Sequence, residues 1–187
     1  MSARLKNLTA LALVFALALT GCAAKAAPDA VAPSEGEQPS SAVSFPKFSA
    51  RELEGEALYT EAVFAEARLT AVCLWTAECR YGASQIESLE RVAAKHSGEG
   101  FAAAALLLDA EGDQSRLDMA QIALTETGEG ILVLCAPSGF DAGGLLSGER
   151  VPCTVFVNGS GEVVAGPYIG QREESETEEI VLRLLAE

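Results

Sequence analysis

Three things are scarce in this sequence, and each scarcity narrows what the chain can be. Cations are few and scattered: 13 Lys and Arg stand against 27 Asp and Glu, a formal net charge of −14. Proteins grip phosphate backbones where Lys and Arg cluster and release counterions, so the lack of any cluster argues against a nucleic-acid partner. Paired ligand spacing is missing too, because the five cysteines are never closer than six residues and His96 is the one histidine. Structural zinc draws on closely spaced Cys and His pairs, so neither a metal nor another cofactor is implied. The third lack is a long apolar run: residues 8–19 give 12 residues, short of the roughly 20 that a spanning helix needs.

What is present begins around that run. Arg4 and Lys6 precede it, and Leu19-Thr20-Gly21-Cys22 follows it. A short basic region, an apolar stretch and small residues before a cut are the parts of a secretory signal. The ending resembles the lipobox of bacterial lipoproteins. That implies residues 1–21 as a signal peptide, a diacylglycerol on the Cys22 sulfur, and an extracytoplasmic protein lipid-anchored to a bacterial membrane; in an ordinary signal peptide Cys22 would be incidental. Losing Arg4 and Lys6 takes the charge from −14 to −16, which suits solubility beside a membrane. Residues 22–44 are rich in Ala, Pro, Ser, Glu and Gly; they bury too little surface to offset the entropy of ordering and read as a flexible tether. Residues 45–187 then form one domain of about 140 residues, ample for a single core.

Within the domain, residues 48–64 read as short strands or a hairpin. Residues 69–75 are almost continuously apolar, as in a strand buried on both faces. Residues 83–97 place Ile86, Leu89, Val92 and Ala93 on one helical face, with Gly98 and Gly100 closing it. A second strand over 101–108, a polar helix over 113–127, a third strand over 131–135 and a fourth over 151–158 follow. Gly159-Ser160-Gly161 turns the fourth strand into 163–165, and 175–186 is a terminal helix. Strands alternating with helices before a final hairpin and helix indicate an α/β sandwich with a mixed sheet.

A candidate site lies at the first strand-to-helix junction, Leu74-Trp75-Thr76-Ala77-Glu78-Cys79. Backbone N–H groups and the dipole at a helix N-terminus favour the thiolate of a cysteine placed there; Arg80 adds to this and Glu78 opposes it. That motif, the strand ending in Asp109, Val151-Pro152-Cys153-Thr154 opening the fourth strand and the terminal helix together resemble the thioredoxin superfamily, in its TlpA/ResA-like lipid-anchored thiol-disulfide oxidoreductases. The resemblance covers about residues 45–187. It implies a thioredoxin-like fold with a mixed central β-sheet flanked by helices, Pro152 as a cis residue facing Cys79, and a substrate groove at Trp75, Arg80, Tyr81 and Val151. Departures are equally plain. Where the family carries Cys-x-x-Cys, often with proline before the second cysteine, Tyr81 and Gly82 stand; Gln85 replaces a glutamate, and Glu87 a mid-helix proline. The usual one-motif dithiol mechanism is therefore unavailable.

Carried over by position, Cys73 takes the place of a buried acid or asparagine beneath the site, and Cys153 follows the cis proline on the neighbouring strand. Both are expected to point at the space that the second cysteine leaves, although core packing is an equal alternative for free cysteines. Cys135 reads as core and His96, at a helix C-terminus, as structural. The resemblance implies a thiol-disulfide oxidoreductase in which Cys79 attacks, Cys153 or Cys73 resolves, and the partners are protein or small-molecule thiols and disulfides. Two alternatives stay open: a redox-inactive binding module on the same fold, and a monothiol exchanger resolved by an external thiol.

Overall fold

A computed structural model describes residues 43–110, 112–125, 131–142, 144–146 and 150–187. The signal segment, Cys22 and the tether up to residue 42 lie outside the described residues. The sheet has eight strands in the order β1-β8-β7-β4-β5-β6-β2-β3. Its centre is β4 (Leu69–Trp75), every residue of which is buried. It pairs in parallel with β5 (Phe101–Leu107), which pairs in parallel with β6 (Leu132–Cys135). On its other side β4 pairs antiparallel with β7 (Cys153–Asn158), and β7 with β8 (Glu162–Ile169). Short strands β1 (Val43–Ser44), β2 (Ser49–Glu52) and β3 (Ala57–Tyr59) finish the two edges.

Because successive strand side chains point to opposite faces, β4 builds two cores. Leu69, Ala71, Cys73 and Trp75 face one layer, together with Ile86, Leu89 and Val92 of α2 (Gly82–His96) and Val181 and Leu184 of α4 (Glu174–Leu185). Val72 and Leu74 face the other layer, with Phe45, Leu145, Cys153 and Phe64 of α1 (Thr60–Ala65). Each fully buried aliphatic side chain contributes about 1.5–3 kcal/mol. A polar seam joins α2 to α4. Arg91 Nε lies 2.7 Å from a Glu174 oxygen, and the His96 ring sits between Glu99 at 2.8 Å and Glu178 at 2.9 Å. After α2 comes a 3₁₀ turn (Ser97–Glu99), and Gly100, with φ of 87°, supplies the left-handed exit to β5.

Several elements differ from the sequence expectation. The N-terminal hairpin is followed by the short α1, and α3 spans Gln114–Ala123, its N-terminus capped where the Ser115 N–H donates to Asp113 Oδ1 at 2.9 Å. β8 runs on to Ile169 instead of stopping near Ala165. Gly-Pro normally punctuates a strand, but at Gly166 (φ 106°) the β7–β8 pairing shifts register in a bulge and resumes beyond it. A Cβ there would approach the Thr154 carbonyl oxygen to 2.9 Å, which explains the glycine.

Candidate active site

β4 ends at Trp75, and a six-residue loop leads to Gly82, the first residue of α2. The loop is held from within and from outside. The Cys79 N–H donates to the Thr76 carbonyl at 2.9 Å, the Gly82 N–H to Cys79 at 3.1 Å and the Gln85 N–H to Tyr81 at 3.0 Å. From the end of β5, Asp109 Oδ1 accepts the Ala77 N–H at 3.0 Å. Arg116 on α3 lies 2.9 Å from Glu78 and 3.5 Å from Asp109, so it ties both carboxylates to the α3 side of the loop. No side chain caps α2. The Gly82 N–H is taken by the Cys79 carbonyl, and the end of α2 where Cys79 stands has no side-chain cap.

Among the described residues all four cysteines are free thiols, and only Cys79 is not buried. Cys73 has no exposed surface; burial raises its thiol far above the ordinary value, and the neighbouring sulfurs of Cys153 and Cys79 add to the effect, with the Thr154 hydroxyl opposing it. Cys153 is equally enclosed, its thiol pushed up to about 12 by burial, and its Sγ donates to the Leu145 carbonyl oxygen at 3.6 Å. Cys135 borders a separate cleft of ≈ 450 Å³ between β2, β6 and the start of α3.

Two sequence expectations need correction here. Cys73 is opposite Thr154 in the β4–β7 ladder, and Cys153 is opposite Leu74. Directly opposed residues share a face, so this one-residue offset turns Cys73 toward α2 and Cys153 toward the layer beneath Leu145. They do not converge on one gap. Trp75 was expected to line a groove, yet it has no exposed surface. Its ring is packed against Gly82 instead: a Cβ added to Gly82 would come 2.8 Å from Trp75 Cε3 and 3.4 Å from Cys79 Cβ. The space above position 82 is thus already occupied.

The remaining residues lie at the same end of the central strands, beyond the Leu74–Cys153 pair. The Val151–Pro152 peptide bond is cis, and the Gly170 N–H donates to the Pro152 carbonyl at 2.8 Å, placing 150–152 and 170–172 side by side. Pro152 is buried, Val151 half-buried, and Arg80 and Tyr81 are exposed. A second cis bond, Gly166–Pro167, was not expected. Gln85 is buried, and its Oε1 accepts the Arg172 N–H at 2.7 Å, so it fastens the first turn of α2 to the segment before α4. Sequence reading missed that tie and the Asp109–Arg116 brace. An acid ending a buried strand was the available signal for the brace.

No protein-family model matches this chain, and no curated protein sequence does. Solved structures do. A DsbF homologue from Corynebacterium diphtheriae superposes with a TM-score of 0.62 at 11% identity, over 84% of this chain and 96% of that one. The thioredoxin domain of a thiol-disulfide oxidoreductase from Bacteroides vulgatus gives 0.60 at 14% identity, over 76% and 96%. A thiol:disulfide interchange protein of the thioredoxin family from Chlorobium tepidum gives 0.58 at 19% identity, over 78% and 98%. At these identities the likeness shows the fold: this is a thioredoxin-like α/β domain with a mixed sheet flanked by helices.

Proposed function

We propose that the protein is an extracytoplasmic, lipid-anchored thiol-disulfide exchanger that works through one thiol, Cys79, and is resolved by an external thiol. The observation that carries this reading is the asymmetry among its cysteines: Cys79 reaches the surface at the uncapped end of α2, while Cys73 and Cys153 are fully enclosed with raised thiol values. In the first step the Cys79 thiolate attacks one sulfur of a substrate disulfide, forming a mixed disulfide and releasing the other sulfur as a thiolate. A second, external thiolate then attacks the substrate sulfur of that adduct, which restores Cys79 and yields a new disulfide. One disulfide is exchanged for another, one substrate thiolate leaves for each external thiolate consumed, and Cys79 ends as it began. Pro152, Val151 and Tyr81 border the attacked bond on the edge that Cys79 shares with them. Membrane retention rests on the acyl chains of Cys22.

The test is adduct formation. Incubation of the reduced chain with 2-hydroxyethyl disulfide, followed by mass spectrometry, is expected to give one adduct per molecule, mapped to Cys79 and removed by dithiothreitol. Absence of any adduct on Cys79 when an unhindered model thiol is fully modified would leave a redox-silent binding module.

A further inference from the structure

We propose that Arg80 gives the Cys79 site a preference for disulfides that carry a carboxylate beside the sulfur under attack. The inference rests on the exchange reading above and adds its substrate class. Cys79 has a charged neighbour on each side in the chain, and the structure treats them differently. Glu78 is turned toward α3, with its carboxylate 2.9 Å from Arg116 Nη1, and Asp109 and Asp113 approach the same guanidinium at 3.5 and 3.9 Å. The acids near the loop are thus gathered on the α3 side around one cation. Arg80 is exposed and, among the described residues, pairs with no carboxylate; its guanidinium stands over the Tyr81 ring at 5.9 Å from the centroid. Tyr81 is itself 55% exposed, so this contact holds the cation at the surface rather than inside the fold, on the residue next to Cys79.

The carboxylates gathered around Arg116 repel an anionic disulfide on the α3 side, and Arg80 is the cation next to Cys79 in the chain. The net charge of −14 repels anions at long range, but beyond about 8 Å that field is screened at physiological ionic strength. Charges within a residue of the attacked bond then decide.

The experiment compares three disulfides of similar size on the full-length chain: anionic 3,3′-dithiodipropionate, neutral 2-hydroxyethyl disulfide and cationic cystamine. Each rate of adduct formation on Cys79 is read by mass spectrometry and expressed relative to the neutral probe. One charge pair near contact in water is worth about 1 kcal/mol, roughly fivefold. Arg80→Ala should therefore slow the anionic probe about fivefold and quicken the cationic one about fivefold, with the neutral rate moving least. Arg80→Lys should retain the order, and 0.5 M salt should compress it. Peptide disulfides with Asp or Lys beside the cysteine separate the sources: the same order there extends the preference to protein substrates, and its absence confines it to small ones. If all three small probes react and Arg80→Ala leaves their relative rates unchanged, the charge preference is wrong while exchange at Cys79 stands. If none of the probes reacts, both fall.

Discussion

Gly82 stands three residues after Cys79, the spacing at which a Cys-x-x-Cys pair carries its second thiol, and the structure fixes what a side chain there must cost. An added Cβ meets Trp75 Cε3 at 2.8 Å, inside any normal contact, and the ring cannot swing aside because it is fully buried. Overpacking of this kind costs about 1–3 kcal/mol. Removing a glycine from a helix returns up to about 1 kcal/mol. The clash wins, so Gly82→Ala should lose about 1–2 kcal/mol, a Tm lower by roughly 3–8 °C for a domain of this size. Gly82→Cys carries the same penalty when reduced but gains chemistry. Its Cβ would lie 3.4 Å from that of Cys79, at the near limit of the ~3.5–4.5 Å found across disulfides. The introduced thiol should then resolve adducts from within. After a pulse of 2-hydroxyethyl disulfide, the adduct on Cys79 should vanish without external thiol and leave an internal disulfide. Thermal unfolding and mass spectrometry read both effects. A Gly82→Ala variant as stable as the parent would show that Trp75 does not fill this space, and a persistent adduct in Gly82→Cys would show that the backbone cannot bring the two sulfurs together.

Two further expectations concern the ends of the molecule. On the proposed lipid anchor, Cys22→Ser should release the chain from the membrane fraction, since acyl chains would supply the affinity and an acidic domain offers none; a variant that stays bound through a high-salt wash would defeat the anchor. His96 is held protonated above its usual range by hydrogen bonds to Glu99 and then Glu178. Its stabilising contribution is therefore complete below the unfolded imidazole value of about 6.5 and is lost as pH rises through the higher folded one. Denaturant midpoints should fall on going from about pH 6 to 9, and His96→Gln should lower the midpoint at acid pH and flatten that fall. An equally steep decline in the variant would remove His96 as its cause. Glu174 and Glu178, lowered by hydrogen bonds to Lys95 and His96 respectively, give the opposite limb, lost as pH drops through their folded values.

The elements that sequence reading recovered are those whose pattern is local. β4 and β5 are unbroken apolar runs, and α2 repeats Ile86, Leu89, Val92 and Ala93 at helical spacing, so burial on one or both faces is written into short windows. The site was legible to the same extent. Cys79 at a strand-to-helix junction follows from neighbouring residues alone. What failed depends on pairs distant in the chain. Whether Cys73 faces Cys153 turns on a one-residue register between strands about 80 residues apart, and composition carries no trace of it. The Gln85–Arg172 tie spans 87 residues. Trp75 is expected in a groove because it borders the strand-to-helix junction, but alternation along β4 sends its ring inward with Cys73.

Register and burial together decide which thiol can complete a turnover. A resolving cysteine must reach the adduct and must ionise. Burial pushes the Cys153 thiol up to about 12, so its thiolate is rare at neutral pH, and the greater nucleophilicity of a more basic thiolate returns only part of that loss. Geometry counts against it too, since its sulfur is on the far face, donating to the Leu145 carbonyl. Cys73 is on the near face but is more strongly raised and has no exposed surface. An external thiol suffers neither handicap at Cys79, the one cysteine among the described residues that is not buried. Resolution from outside is therefore the faster route, and the chain's turnover should scale with the concentration of the external thiol rather than saturate at an internal rate.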